Sequence, residues 1–135
     1  MTVITTTFAE IISAPIQEKP WGHEVIFADG SNGYVGKMLN VLAGHSLSLQ
    51  YHDRKDETLR LLTGEAVLEH GPSADSLTRR SVTPGETFHV PPLCVHRITA
   101  VTDAVFVEVS TAQRGWRDDV VRLSDQYGRT GTSAP

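Results

Sequence analysis

Apolar and polar residues alternate along most of this chain in short runs, each closed by glycine, proline, asparagine or aspartate. A period of two belongs to strands with one buried face. It predicts strands at 23–27, 35–42, 46–52, 58–63, 66–70, 77–82, 87–90, 95–101 and 104–110. The gaps carry turn chemistry, among them Asp29-Gly30, Asn32-Gly33, Thr63-Gly64, Pro84-Gly85 and Pro91-Pro92. Helical periodicity is weak, and the one short helix expected lies at 117–123. Many short strands at regular spacing argue for a sandwich or small barrel. Closing a barrel removes the exposed strand edges that such a chain must otherwise protect. The predicted organisation is an N-terminal arm at 1–15, one all-β domain at 16–129 and a small polar, disordered tail at 130–135.

One strand is inverted relative to a simple core. On 46–52 the alternation puts Ser46, Ser48, Gln50 and His52 on one face and Leu47, Leu49 and Tyr51 on the other. A polar inner face makes sense where it lines a wet pocket. After the short loop 53–56, Glu57 opens the next strand opposite His52. Further along, GETFHVPPLCVH at 85–96 returns the chain through a rigid double proline to a second histidine, His96. Two imidazoles, a carboxylate and an amide oxygen make a borderline-to-hard ligand set for one divalent ion. Zinc is expected ahead of manganese, iron, nickel or cobalt. The predicted ligands are Gln50, His52, Glu57 and His96.

The spacing of glycine, histidine and glutamate in 44–64, followed by the segment 85–96, resembles the paired motifs of the cupin superfamily. The resemblance implies a double-stranded β-helix, or jelly-roll, barrel with a short C-terminal helix. Where cupins usually place a first histidine ligand, this chain has Gln50. With LSLQYH at 47–52, KPWGHE at 19–24, GKMLNVLAG at 36–44, FVEVST at 106–111 and DDVVRLSDQYGR at 118–129, the chain resembles the C-terminal cupin domain of type II mannose-6-phosphate isomerases. Such cupins are often fused to a guanylyltransferase domain, which this sequence does not contain, so nucleotide-sugar synthesis is not expected of it. The chain departs from the pattern at Lys55-Asp56, where a basic-alanine pair is usual, and at Leu59, where an aromatic residue often stands. The resemblance implies a metal-dependent aldose–ketose isomerase acting on a sugar or sugar phosphate, with Arg129 as a phosphate ligand and a homodimeric assembly.

Lys37 shares a strand face with Leu39 and Val41, so it is buried if they are, and a lysine is rarely buried without a role. It is assigned to catalysis and substrate binding, and Glu57 to catalysis as well as metal binding. Arg54 and Lys55 read as exposed loop charge, His23 and His70 as solvent-facing, and Arg97 as pointing away from the metal. His45 and His89 are not expected as ligands, Trp21 packs the core, and Cys94 has no adjacent base to activate it. Three other functions fit the same ligands: an iron-dependent dioxygenase, a non-catalytic metal- or sugar-binding cupin, and another sugar enzyme such as an epimerase.

Composition narrows the setting. A net charge of −4 without a basic cluster gives no pull toward nucleic acid or an anionic membrane. No apolar run approaches the roughly 20 residues of a membrane helix. A single cysteine and a leader without lysine or arginine lead us to expect a cytoplasmic protein without disulfides.

Overall fold

The computed structural model describes residues 7–135, so the first six residues of the predicted arm lie outside the described residues. The described residues form eleven strands in order: β1 (Ile16–Lys19), β2 (Gly22–Asp29), β3 (Tyr34–Val41), β4 (Leu49–Tyr51), β5 (Glu57–Thr63), β6 (Ala66–Gly71), β7 (Thr78–Val82), β8 (Thr87–Val90), β9 (Val95–Ala100), β10 (Ala104–Thr111) and β11 (Val121–Ser124). They make two antiparallel sheets, ordered β1-β2-β3-β10-β5-β8 and β11-β4-β9-β6-β7. The core lies between them. The first sheet supplies Leu39, Leu59, Leu61 and Phe106, the second Leu68, Ile98 and Ala100, and Trp21 joins from the β1–β2 turn.

The expected strand 46–52 is regular only at β4, with Ser46 held by an isolated bridge to Thr99. Two strands were not foreseen. β1 pairs with β2, and β11 lies where the helix at 117–123 was expected. That helix is corrected to a single 3-10 turn, Trp116–Asp118. Asp118, Asp119, Val120 and Val121 are poor helix formers. The Asp119 side chain is also committed elsewhere, to the backbone amides of the 53–55 loop, and the chain beyond it gains the ladder with β4.

Two backbone features position the site. Gly22 sits at φ 148° in the β1–β2 turn, where a Cβ would come 1.9 Å from the Asn40 carbonyl oxygen, so only glycine permits this approach. Leu93 is the one non-glycine residue with positive φ among the described residues, at 71°. Such a conformation costs on the order of 1–3 kcal/mol. Its N–H donates to the His52 carbonyl at 2.8 Å, so the strained turn after the double proline ties the two histidine-bearing segments together.

Candidate metal centre

Alternation on β3 turns Lys37, Leu39 and Val41 inward, and all three are buried. On β10 the inward residues run Ala104, Phe106, Glu108 and Ser110. At one end of the space between the sheets, His52, Glu57 and His96 offer three ligand atoms lying within 4.8 Å of one another. The three residues are 5%, 4% and 4% exposed. Glu57 Oε1 stands 3.4 Å from His52 Nε2 and 3.3 Å from His96 Nε2.

The other ring nitrogens fix the tautomers. His52 Nδ1 donates to the Asp119 carbonyl at 2.6 Å, and His96 Nδ1 donates to the Cys94 carbonyl at 2.9 Å. A carbonyl only accepts, so each Nδ1 carries a proton and each ring aims its Nε2 at the Glu57 carboxylate, where a bound ion would take the Nε2 lone pair. His52 Nε2 is buried and has no hydrogen-bond partner. Three electron-pair donors converging in a buried space are what a divalent cation satisfies, and carbonyl-anchored imidazoles are the usual outer support of such a site. Gln50 lies opposite His96 in the β4–β9 register, so the two side chains share a face. Its Oε1 accepts from Ser48 Oγ at 2.6 Å.

The carboxylate is held from behind. Lys55 Nζ lies 3.0 Å from Glu57 Oε2 and 3.1 Å from Glu108 Oε2, and all three residues are buried. The reading of Lys55 as exposed loop charge is therefore corrected. The Asp119 carboxylate accepts from the amides of Asp53, Arg54 and Lys55 at 2.8, 3.1 and 2.9 Å, which curls the loop and drives Lys55 inward. Burial by itself would lower the Lys55 ammonium, but Glu108 and Glu57 outweigh it and hold it charged. Burial likewise works against ionised Glu57, yet Lys55 and the two imidazoles keep its carboxyl well below the usual range. Glu108 is pushed up, by burial first and then by Glu57.

Lys37 donates to both oxygens of buried Glu24, at 3.1 and 3.4 Å, and its ammonium stands 5.1 Å from the centre of the Trp116 ring. Arg129 is buried and makes a two-pronged pair with Asp125, Nη2 to Oδ1 and Nε to Oδ2, each at 2.9 Å. The six residues singled out in the sequence, Lys37, Gln50, His52, Glu57, His96 and Arg129, all line one cavity. Sequence reasoning missed Glu24, Lys55, Glu108, Asp119 and Arg122, which line it too. Glu108 was open to discovery: it sits among Ala104, Phe106 and Ser110 on one strand face, a charge in an otherwise inward row.

Of the remaining residues, all but Trp21 lie outside the cavity lining. His70 is not simply solvent-facing. It is half-buried and opposite His96 in the β6–β9 register, on the inward row with Leu68 and Ala66. His45 stacks on Tyr127, and exposed His89 pairs with Asp56. Arg97 makes a bidentate pair with Glu69. Trp21 both packs the core and lines the cavity. Burial pushes the Cys94 thiol up, which suits an inert residue.

The Asp125–Arg129 clamp carries a pH prediction. Hydrogen bonding from Arg129 holds the Asp125 carboxyl below its usual value. Its stabilising contribution is then fully present above the unfolded value of about 3.9 and is lost as pH falls through the folded value. Denaturant unfolding should show Asp125→Asn less stable than wild type at pH 7, with the gap closing at about pH 2. A gap that persists in acid would contradict the assignment.

The two facing antiparallel sheets and the connections between them make this chain a cupin by fold. No family model matches the sequence. The chain is 30% identical over 114 residues to the xanthan biosynthesis protein XanB of Xanthomonas campestris pv. campestris, a match covering 83% of this chain and 23% of that protein. It is 29% identical over 116 residues to the alginate biosynthesis protein AlgA of Pseudomonas putida, again covering 23% of the relative. The chain thus spans about a quarter of the length of the curated relatives it matches. Among solved structures it is similar to the capsular polysaccharide assembling protein CapF of Staphylococcus aureus, with a TM-score of 0.73 at 16% identity, covering 85% of this chain and 33% of that one. It is also similar to Bacillus subtilis oxalate decarboxylase, described with Mn(II) centres, with a TM-score of 0.68 at 18% identity, covering 90% of this chain and 35% of that one. Among the described residues no helix is long and apolar enough to cross a membrane.

Proposed function

We propose that this cupin is a metal-dependent aldose–ketose isomerase, acting on a sugar or sugar phosphate in the manner of mannose-6-phosphate isomerases. The observation that carries the reading is the convergence of His52, Glu57 and His96 at one end of a cavity that continues past Glu108, Lys37 and Glu24. The matches to xanthan and alginate biosynthesis proteins support a carbohydrate substrate. His52, Glu57 and His96 would hold the ion, with Gln50 as the fourth ligand. When bound, a divalent ion polarises a carbonyl and orients neighbouring hydroxyls.

The chain's own residues supply the proton chemistry. Isomerisation moves a proton between adjacent carbons through an enediol and needs both a base and a charge stabiliser. Glu57 is claimed by Lys55 and the two imidazoles, which favours a purely ligating role over the catalytic one read from sequence. Glu108, buried and raised toward neutrality, is matched to taking and returning a proton. Lys37 lies opposite Glu108 in the β3–β10 register and supplies positive charge beside a developing enediolate.

The test pairs metal analysis with a screen of aldoses and aldose phosphates for isomerisation. Lys37→Met should keep its metal and lower the thermal midpoint only modestly, because Glu24 still has Lys19 3.8 Å away. Turnover should fall by at least about a hundredfold, roughly 2.7 kcal/mol. Full activity in this variant would remove Lys37 from the reaction. A wild-type protein that loads metal but turns over no aldose or aldose phosphate would point to a binding cupin instead.

A further inference from the structure

Residues 112–120 join β10 to β11, and the cavity takes Trp116, Arg117, Asp119 and Val120 of its lining from them. Yet no residue of this segment is buried, and the 3-10 turn within it has no side-chain cap. The backbone amides that bond do so inside the segment: Trp116 to Gln113, Asp118 to Gly115, Asp119 to Trp116 and Val120 to Asp118. Apart from a contact with the adjoining Thr111, five hydrogen bonds tie the segment to the other described residues. One runs from Arg54 Nη2 to the Arg114 carbonyl at 2.7 Å. The other four all end on Asp119. Trp116 adds packing, with its ring against Gly30 and 5.1 Å from the Lys37 ammonium.

The backbone of Asp119 suits it to this work. At φ −79° and ψ 70° it is the centre of an inverse γ-turn, closed by the Val120 N–H on the Asp118 carbonyl at 2.9 Å. That turn leaves Asp119's own carbonyl free, and His52 Nδ1 donates to it at 2.6 Å. The carboxylate meanwhile takes three successive amides, Asp53 on one oxygen and Arg54 and Lys55 on the other. Consecutive N–H groups turned toward one point make a concave seat for an anion. One residue thus holds the ring of His52 with its carbonyl, and with its side chain holds the loop that leads from His52 to Glu57. The shape of that loop sets how His52 and Glu57 face each other, and it carries Lys55 behind the carboxylate.

A divalent ion tolerates errors of only about 0.2 Å in its ligand distances. Whatever fixes the ligands therefore favours the ion, and by reciprocity the ion favours whatever fixes them. We propose that Asp119 is the positioning residue of this metal centre, so that docking of residues 112–120 and binding of a divalent ion form one linked equilibrium. Occupation of the site by His52, Glu57 and His96 then also closes the cavity wall that this segment supplies. The assignment rests on the metal-binding part of the proposed function and not on isomerisation.

The test uses Co(II), whose visible absorption reports ligand geometry. Asp119→Ala should bind Co(II) about 10–100-fold more weakly than wild type, the range typical of losing an outer supporting residue. Its absorption bands at saturating Co(II) should also differ from those of wild type. Asp119→Asn keeps one acceptor oxygen and should fall between the two. A residue that only stabilised the fold would lower the thermal midpoint and leave the affinity and spectrum of the folded protein alone. Trypsin reads the linkage from the other side, because Arg114 and Arg117 are exposed within the segment. In wild type Co(II) should slow cleavage there at least about tenfold, and in Asp119→Ala it should slow it far less. The wild-type measurement and Asp119→Asn carry the test if Asp119→Ala does not fold. Unchanged affinity and spectrum in the variants would overturn the assignment, as would equal cleavage of wild type with and without Co(II). Wild type that binds no Co(II) would overturn the metal centre and the assignment together. The expected losses, found in a protein that isomerises no sugar, would support the assignment and sink the isomerase reading alone.

Discussion

Replacing Lys55 with methionine should be the most damaging single change to folding, costing about 3–5 kcal/mol in the metal-free protein. Among the described residues Lys55 is the only cation within ion-pair distance of both Glu57 and Glu108, at 3.0 and 3.1 Å, and all three side chains are nearly inaccessible to water. Removing one partner of a buried ionic group leaves uncompensated charge in a poorly solvated place, and that penalty exceeds what the intact pair contributes. Here two carboxylates would be left facing the same void. For a domain of this size the loss corresponds to a fall in thermal midpoint of at least about 10 °C. The metal must be removed first, since a cation beside Glu57 would replace part of the missing charge. Glu108→Gln combined with Lys55→Met should be more stable than Lys55→Met alone, because one of the opposed charges is gone. If the two substitutions simply add, or if Lys55→Met unfolds at the wild-type midpoint, the triad is not coupled as described.

The second large effect concerns the metal itself. His52→Ala, His96→Ala and Glu57→Gln should each lower metal affinity by more than the 10–100-fold typical of losing an outer supporting residue, and purified variants should carry no stoichiometric ion by elemental analysis. Ser48→Ala is the informative contrast. It removes only the hydroxyl that donates to Gln50 Oε1, so metal should be retained with at most a modest loss of affinity. The histidine variants should keep their strand signal in circular dichroism, because their rings lie at one end of the cavity and are not members of the apolar cluster around Phe106 and Leu61. Stoichiometric metal in His96→Ala would refute the site. Loss of metal in Ser48→Ala, equal to that in His96→Ala, would show that Gln50 contributes as much as an imidazole.

Lys55 also shows why the site was only partly legible. In sequence it is one of several charges in DRKDE, and nothing in that run separates a solvated lysine from a buried one. Its burial depends on Asp119, more than sixty positions later, accepting three amides of the loop. Likewise Arg122 read as part of a short helix, because its periodicity carries no trace of the ladder that β4 offers it.

What the sequence determined by itself was whatever depends on near neighbours. Alternation set the strand faces, which is enough to place Ser48, Gln50 and His52 on one side of the chain and to make Lys37 share the fate of Leu39 and Val41. Glycine and proline set the turns between strands, and the spacing of Gln50, His52, Glu57 and His96 suggested one ligand set. The tertiary structure decided everything that depends on which strands become neighbours. It turned the Lys37 face inward, put Glu108 across from Lys37, and set Arg122 in a row with Gln50 and His96. It also stationed Lys55 between two carboxylates. A strand's own pattern tells which residues point together but not which sheet they will face. The charge a buried group meets is therefore fixed only when distant segments pack around it.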